Sequence, residues 1–201
     1  MLASASSARL ATLRSAGIEP EVIVSDVDES AIAEQVPATL ATRLAERKCA
    51  SVADRLGDPD AIVIGCDSVL ELDGEVFGKP ADADEATQRW RRMRGRSGVL
   101  HTGHCVRRGG RSLTAGAATT VYFADISDAE IDAYVATGEP LHVAGAFTID
   151  GIGGAFVARI EGDHHNVVGL SLPLLRDLVV DLGIAWPSLW RSPGRHRSRG
   201  Q

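Results

Sequence analysis

The chain has 201 residues, 44% of them apolar and 24% charged, a composition that suits one folded domain and not two ordinary ones. Its net charge of −6 argues against the basic surplus of a nucleic-acid binder, so no nucleic-acid partner is expected. No apolar run approaches the ~18 residues that span a membrane, and three cysteines without a CxxC pair read as reduced thiols of a cytoplasmic protein.

Met1 to Ala3 reads as a short strand, followed by a serine turn and a helix from Ser7 to Ala16 that Gly17 and Pro20 stop. This start is rich in serine and free of acids, as a transit peptide is, but its helix pattern places it within the fold. A second helix is expected from Thr39 to Leu56, closed by Gly57 and Pro59. Its apolar arc holds Leu40, Ala41, Leu44, Ala45, Cys49 and Val52, with Lys48 near the middle.

Residues 61–65, AIVIG, are a continuous apolar run typical of a strand covered on both faces, which puts Asp67 just past a strand end. Asp73-Gly74 marks a hairpin between VLEL and EVF. Asp82 with Glu85, and Ser127 with Glu130, each open a helix, ending at Gly95 and Gly138. Between those helices VLHTGHCV and TTVYFADI read as strands turned at Gly109-Gly110. AFTI and AFVARI are further strand candidates, and a last helix is expected from Leu172 to Leu182. Helices and strands alternate without a repeat, which gives the α/β class. A single folded domain is expected over 1–185, and WPSLWRSPGRHRSRGQ, 186–201, reads as a basic, disordered tail.

The segment GEVFGKP ends like a phosphate-binding P-loop but is not one: three residues rather than four separate Gly74 from Gly78, and Pro80 stands where a hydroxyl should hold Mg²⁺. The serine turn SASSAR can still serve an anion, because a helix N-terminus offers free N–H groups and Arg9 adds a charge, although an ordinary N-cap has the same pattern. In VSDVDES the acids Asp26, Asp28 and Glu29 suit either a hard cation or a solvated loop. Lys48, on an apolar face, must snorkel, pair or meet a phosphate. Asp67 at a strand end lies where ligands bind α/β sheets. His101 and His104 point to opposite faces of a strand and do not share a metal, and His164-His165 reads as a solvent-facing pair.

Taken in order, LASASSAR, SDVDES, LAERKCASVA, VIGCDSV, GEVFGKP, LHTGH, VAGAFTIDGIGG and GDHHNVVGLSLPLL resemble the Maf family of nucleoside triphosphate pyrophosphatases, over nearly everything except the tail. The resemblance implies a mixed central sheet flanked by helices, in an elongated two-lobed body with a cleft like that of the inosine triphosphatases. It also implies a homodimer and a divalent metal, Mg²⁺ or Mn²⁺. In that family's terms Asp67 is the proton acceptor, Glu29 helps Asp67 hold the metal, and Ser4, Ser6, Arg9, Lys48 and Lys79 bind phosphate. The implied reaction cleaves between the α- and β-phosphates, giving a nucleoside monophosphate and pyrophosphate.

Three positions depart from the family's substrate patterns. The branch acting on dTTP and UTP carries Arg at Ala8, Thr at Ser68 and Gln at Asp150; the branch acting on 7-methyl-GTP carries Trp, Gln and Glu. Asp150 leans toward a purine or modified base, since a carboxylate can accept the N1–H and amino protons of guanine. Two rival readings are a nucleotide-sensing protein linked to cell division and an RNA binder that uses the arginine tail.

Overall fold

The computed structural model describes residues 1–29, 32 and 34–191. Among the described residues six helices, α1 (Ser7–Ser15), α2 (Pro37–Leu56), α3 (Ala83–Met93), α4 (Asp128–Ala136), α5 (His164–Val168) and α6 (Leu172–Asp181), surround five strands. The strands are β1 (Ile62–Leu72), β2 (Glu75–Phe77), β3 (Ser97–Arg108), β4 (Arg111–Phe123) and β5 (Val157–Glu161). They form one antiparallel sheet in the order β2-β1-β3-β4-β5. Leu2 adds parallel bridges to Ile64 and to Val22, which gives the sheet its mixed character at one edge.

Local chemistry sets most element ends. Gly57 at φ 62° closes α2, and Ser127 with Glu130 forms a complete capping box on α4. Asp73 and Gly74, at φ 55° and 79°, turn the β1–β2 hairpin as the Asp-Gly pair requires. Among the described residues no helix is long and apolar enough to cross a membrane.

Three expectations are corrected. β1 does not end at Gly65: it runs on to Leu72 because β3 pairs with it from Ile62 to Glu71, so Asp67 lies in mid-strand. AFTI is not a strand; the N–H of Gly145 is taken by Gly78, the carbonyl of Ala146 by Trp90 and the Thr148 hydroxyl by Glu139, which commits this segment to loop contacts. AFVARI gives only β5, since Ala155 and Phe156 belong to a 3₁₀ turn. Beyond residue 185, Trp186–Leu189 forms another 3₁₀ turn whose Trp186 and Leu189 pack on the core, and Trp190 bridges Ile18. Residues 192–201 of the expected tail lie outside the described residues.

Among the described residues the apolar core falls into three clusters. Leu70, Leu72, Leu100, Trp90 and Phe123 anchor one at the β2 end of the sheet, against α3 and α4. At the other end Ile64, Cys66 and Val106 face α1 and α6, while Val63 and Cys105 pack with Cys49 of α2. Along β1 the break between clusters falls at residues 67–69.

Candidate active site

β1 has no strand beside residues 65–69 on its outer edge among the described residues, because Leu2 pairs at Ile64 and pairing with β2 begins only at Leu70, opposite Phe77. Alternation along the strand sends Asp67 to the α2 face and Ser68 to the opposite one. α2 lies close on its face because Gly65 and Gly103 present no side chain: a Cβ at Gly65 would stand 2.4 Å from the Ala45 carbonyl, and one at Gly103 2.2 Å from that of Ala41.

That approach brings Lys48 onto Asp67. Lys48 Nζ donates to Asp67 Oδ1 and lies 2.7 Å from Glu29 Oε1, so one ammonium joins two carboxylates. Lys48 and Asp67 are 9% and 7% exposed, so water does little to screen them. Burial pushes the Asp67 carboxyl above the usual carboxylate range, opposed in turn by the charges of Lys48 and Arg9 and by the Lys48 hydrogen bond. Glu29 is more than half exposed. Of its acidic neighbours, Asp26 pairs with Arg55 at 2.8 Å. Among the described residues no three His, Cys, Asp or Glu side chains gather as a metal cage. The two carboxylates on Lys48 are nonetheless a hard-oxygen pair of the kind that shares a divalent ion with substrate phosphates.

On the other face Arg9 is buried and tightly engaged. Its Nε donates to Gly169 O at 2.7 Å, Nη1 to Ser4 Oγ at 3.1 Å and to Cys66 O at 2.9 Å, and Nη2 to Ser68 Oγ at 3.0 Å. A guanidinium has five N–H groups, so one remains. Ser6 caps α1 by accepting from the Arg9 N–H, and Ser4 Oγ accepts from the Ser6 N–H. The N–H groups of Ser7 and Ala8 have no intrachain partner among the described residues, which leaves the positive end of α1 open.

Lys79 is exposed on the segment after β2, and its ammonium has no hydrogen bond or ion pair among the described residues. Ala8 is half-buried on α1, while Asp150 is exposed in a bend. The structure therefore joins Ser4, Ser6, Arg9 and Ser68 in one network and Glu29, Lys48 and Asp67 in another, on the two faces of one open edge. No hydrogen bond or ion pair links Lys79 or Asp150 to either network among the described residues.

Sequence reasoning missed several supporting groups. Thr102 shares a hydrogen bond with Ser68 at 2.9 Å and donates to Asn166 O; Asn166, fully buried, donates to Leu100 O and Thr119 Oγ1. Glu139 gathers donors from Tyr134, Thr148, Ile152 and Gly153 and so ties down the loop that carries Asp150. Burial pushes its carboxyl up, but the hydrogen bonds from Thr148, Gly153, Ile152 and Tyr134 outweigh it and hold the group below the usual range. Polar side chains inside apolar strands, such as Thr102, were the available signal. His101 and His104 do face opposite ways: His101 meets Glu71 at 2.8 Å, while His104 accepts from the Ser171 N–H.

Together the helix-flanked sheet and its open edge define an α/β protein with a buried carboxylate–ammonium pair beside a helix N-terminus fit for an anion. The chain belongs to the Maf family: the family of Maf-like proteins matches residues 1–182. It is 58% identical to a nucleoside triphosphate pyrophosphatase of Streptomyces coelicolor, over 94% of this chain and 93% of that protein. Proteins of the same name from Salinispora tropica and Cutibacterium acnes are 58% and 53% identical, over 100% and 98% of this chain and 91% and 98% of theirs.

Proposed function

We propose that this chain hydrolyses a nucleoside triphosphate between the α- and β-phosphates, releasing the monophosphate and pyrophosphate. One observation carries the reading: a buried aspartate, held by a lysine that also holds an exposed glutamate, opens onto the same strand edge as the N-terminus of α1.

Asp67 is the proton acceptor for the attacking water in this reading. Its burial raises its affinity for a proton, and Lys48 and Arg9 oppose that rise. The free N–H groups of Ser7 and Ala8, with the Ser4–Ser6 turn and the remaining N–H of Arg9, receive phosphate oxygens. Lys79 offsets charge on the leaving pyrophosphate. The Glu29 and Asp67 oxygens fit a Mg²⁺ or Mn²⁺ ion carried in with the triphosphate. When bound, such an ion polarises the phosphoryl oxygens.

The substrate class is a nucleoside triphosphate, with a lean toward a purine or modified base from Asp150. The test is pyrophosphate release from a panel of ordinary and modified nucleoside triphosphates with Mg²⁺ or Mn²⁺, run beside Asp67→Asn. Release from one class that disappears in the variant supports the reading. Nucleotide binding without release from any member sinks it in favour of a sensing protein.

A further inference from the structure

The segment from Phe77 to Pro80 is gripped on several sides. Arg89, on α3 and 8% exposed, donates from Nη1 to Gly78 O at 2.6 Å and from Nη2 to Lys79 O at a long 3.5 Å. Its Nε and Nη2 both bind Glu85 Oε1, at 3.1 and 2.5 Å, while Glu85 Oε2 accepts from the Ala81 N–H at 2.7 Å. The guanidinium carbon of Arg89 lies 5.1 Å from the centre of the Phe77 ring, and Gly145 donates a second hydrogen bond to Gly78 O. One arginine and its glutamate thus fix the backbone on both sides of Lys79 and leave only the Lys79 side chain free.

An exposed segment could leave its carbonyls to water. Burying a guanidinium to hold them costs desolvation, which Glu85 and the two carbonyls offset, and the pairing brings geometric precision because the fork of arginine is planar and rigid. We infer that Arg89 is a positioning residue for the reaction: it holds the Gly78-Lys79-Pro80 backbone so that the Lys79 ammonium meets the substrate's phosphates in one place. This rests on the reading of Lys79 as a phosphate-binding residue.

The effect is bounded by what misplacement costs. A shift of about 1 Å in a positioned group can lower the rate by as much as ~10²-fold, so Arg89→Met, which keeps the packed stem, is expected to lower kcat/KM for the triphosphate roughly tenfold. Arg89→Lys, with a cation but no fork, should recover part of this.

The experiment is a cycle of Lys79→Ala, Arg89→Met and the double variant, reading KM, kcat and the inhibition constant of pyrophosphate, with melting temperatures alongside. If Arg89 acts through Lys79, the double variant binds pyrophosphate no more weakly than Lys79→Ala alone. Separate factors that multiply in the double variant overturn the inference. So does a lowered melting temperature with KM and pyrophosphate affinity unchanged. If Arg89→Met does not fold, Arg89→Lys carries the same cycle. A harmless Lys79→Ala removes both this inference and the phosphate role of Lys79; a damaging Lys79→Ala with a harmless Arg89→Met removes only the part given to Arg89.

Discussion

Lys48 on α2 donates a hydrogen bond to Asp67 in the middle of β1, and both side chains are about nine-tenths buried. Such a pair is costly to break from one side, because the survivor is left as an uncompensated charge. Lys48 has a second partner in Glu29 at 2.7 Å, so Asp67→Asn does not strand it. Turnover in that variant should fall by about 10² to 10⁴, the range of a positioned base, with the fold and nucleotide binding retained. Steady-state kinetics and calorimetry check this, and near-normal turnover overturns the assignment.

The same pair fixes the acid side of the pH profile. Burial raises the Asp67 carboxyl above its ordinary value, and Lys48 and Arg9 pull it back. As the proposed proton acceptor Asp67 has to be ionised, so activity should be lost on acidification at a pH above ~3.9, where an ordinary aspartate titrates. Lys48→Met removes an opposing charge, so its acid limb should move to higher pH. A limb that stays in place in the kcat/KM profile assigns it to another group.

Close packing of α2 is a separate requirement. At Gly65 and Gly103 a Cβ would meet backbone of α2 at 2.4 and 2.2 Å, so the helix has to shift as a whole. Gly65→Ala should cost about 1–3 kcal/mol in urea unfolding, and more in activity than the lost stability explains, because Lys48 moves with the helix. Gly116→Ala is the control: its Cβ would meet the Thr42 methyl at 3.2 Å and backbone no nearer than the Thr102 carbonyl at 4.0 Å. Equal losses in activity for the two variants would refute the packing argument.

Local signals made much of this legible. The apolar arc of α2 with Lys48 at its centre, the Asp73-Gly74 turn and the Ser127 capping box depend on residues a few positions apart, and the structure has each of them. The sequence places Asp67 past a strand end because the apolar run stops at Gly65, and only pairing with β3 carries the strand on through it. The Arg9 network was hidden for a similar reason: its partners Cys66, Ser68 and Gly169 lie 57, 59 and 160 positions away. AFTI misled because alternation alone does not reveal that Gly145 and Ala146 take positive φ.

His104 gives a test of the buried interior that does not involve catalysis. It is fully buried, donates from Nδ1 to Thr102 O at 3.1 Å and accepts from the Ser171 N–H at 2.8 Å, which requires a neutral ring. Burial and then the charge of Arg9 push its pKa from 6.5 down to about 4, outweighing the Thr102 carbonyl and Asp163, which act the other way. The unfolded chain therefore binds this proton before the folded one does. The stability it contributes is complete above pH 6.5 and is lost as pH falls toward 4. At 1.36 kcal/mol per unit, the loss is about 3 kcal/mol across that window. In His104→Gln the amide oxygen can still accept from Ser171 but does not titrate. Its unfolding free energy should decline less than that of the parent between those pH values, by about that amount, and parallel curves from urea titrations would show that His104 is not the group responsible.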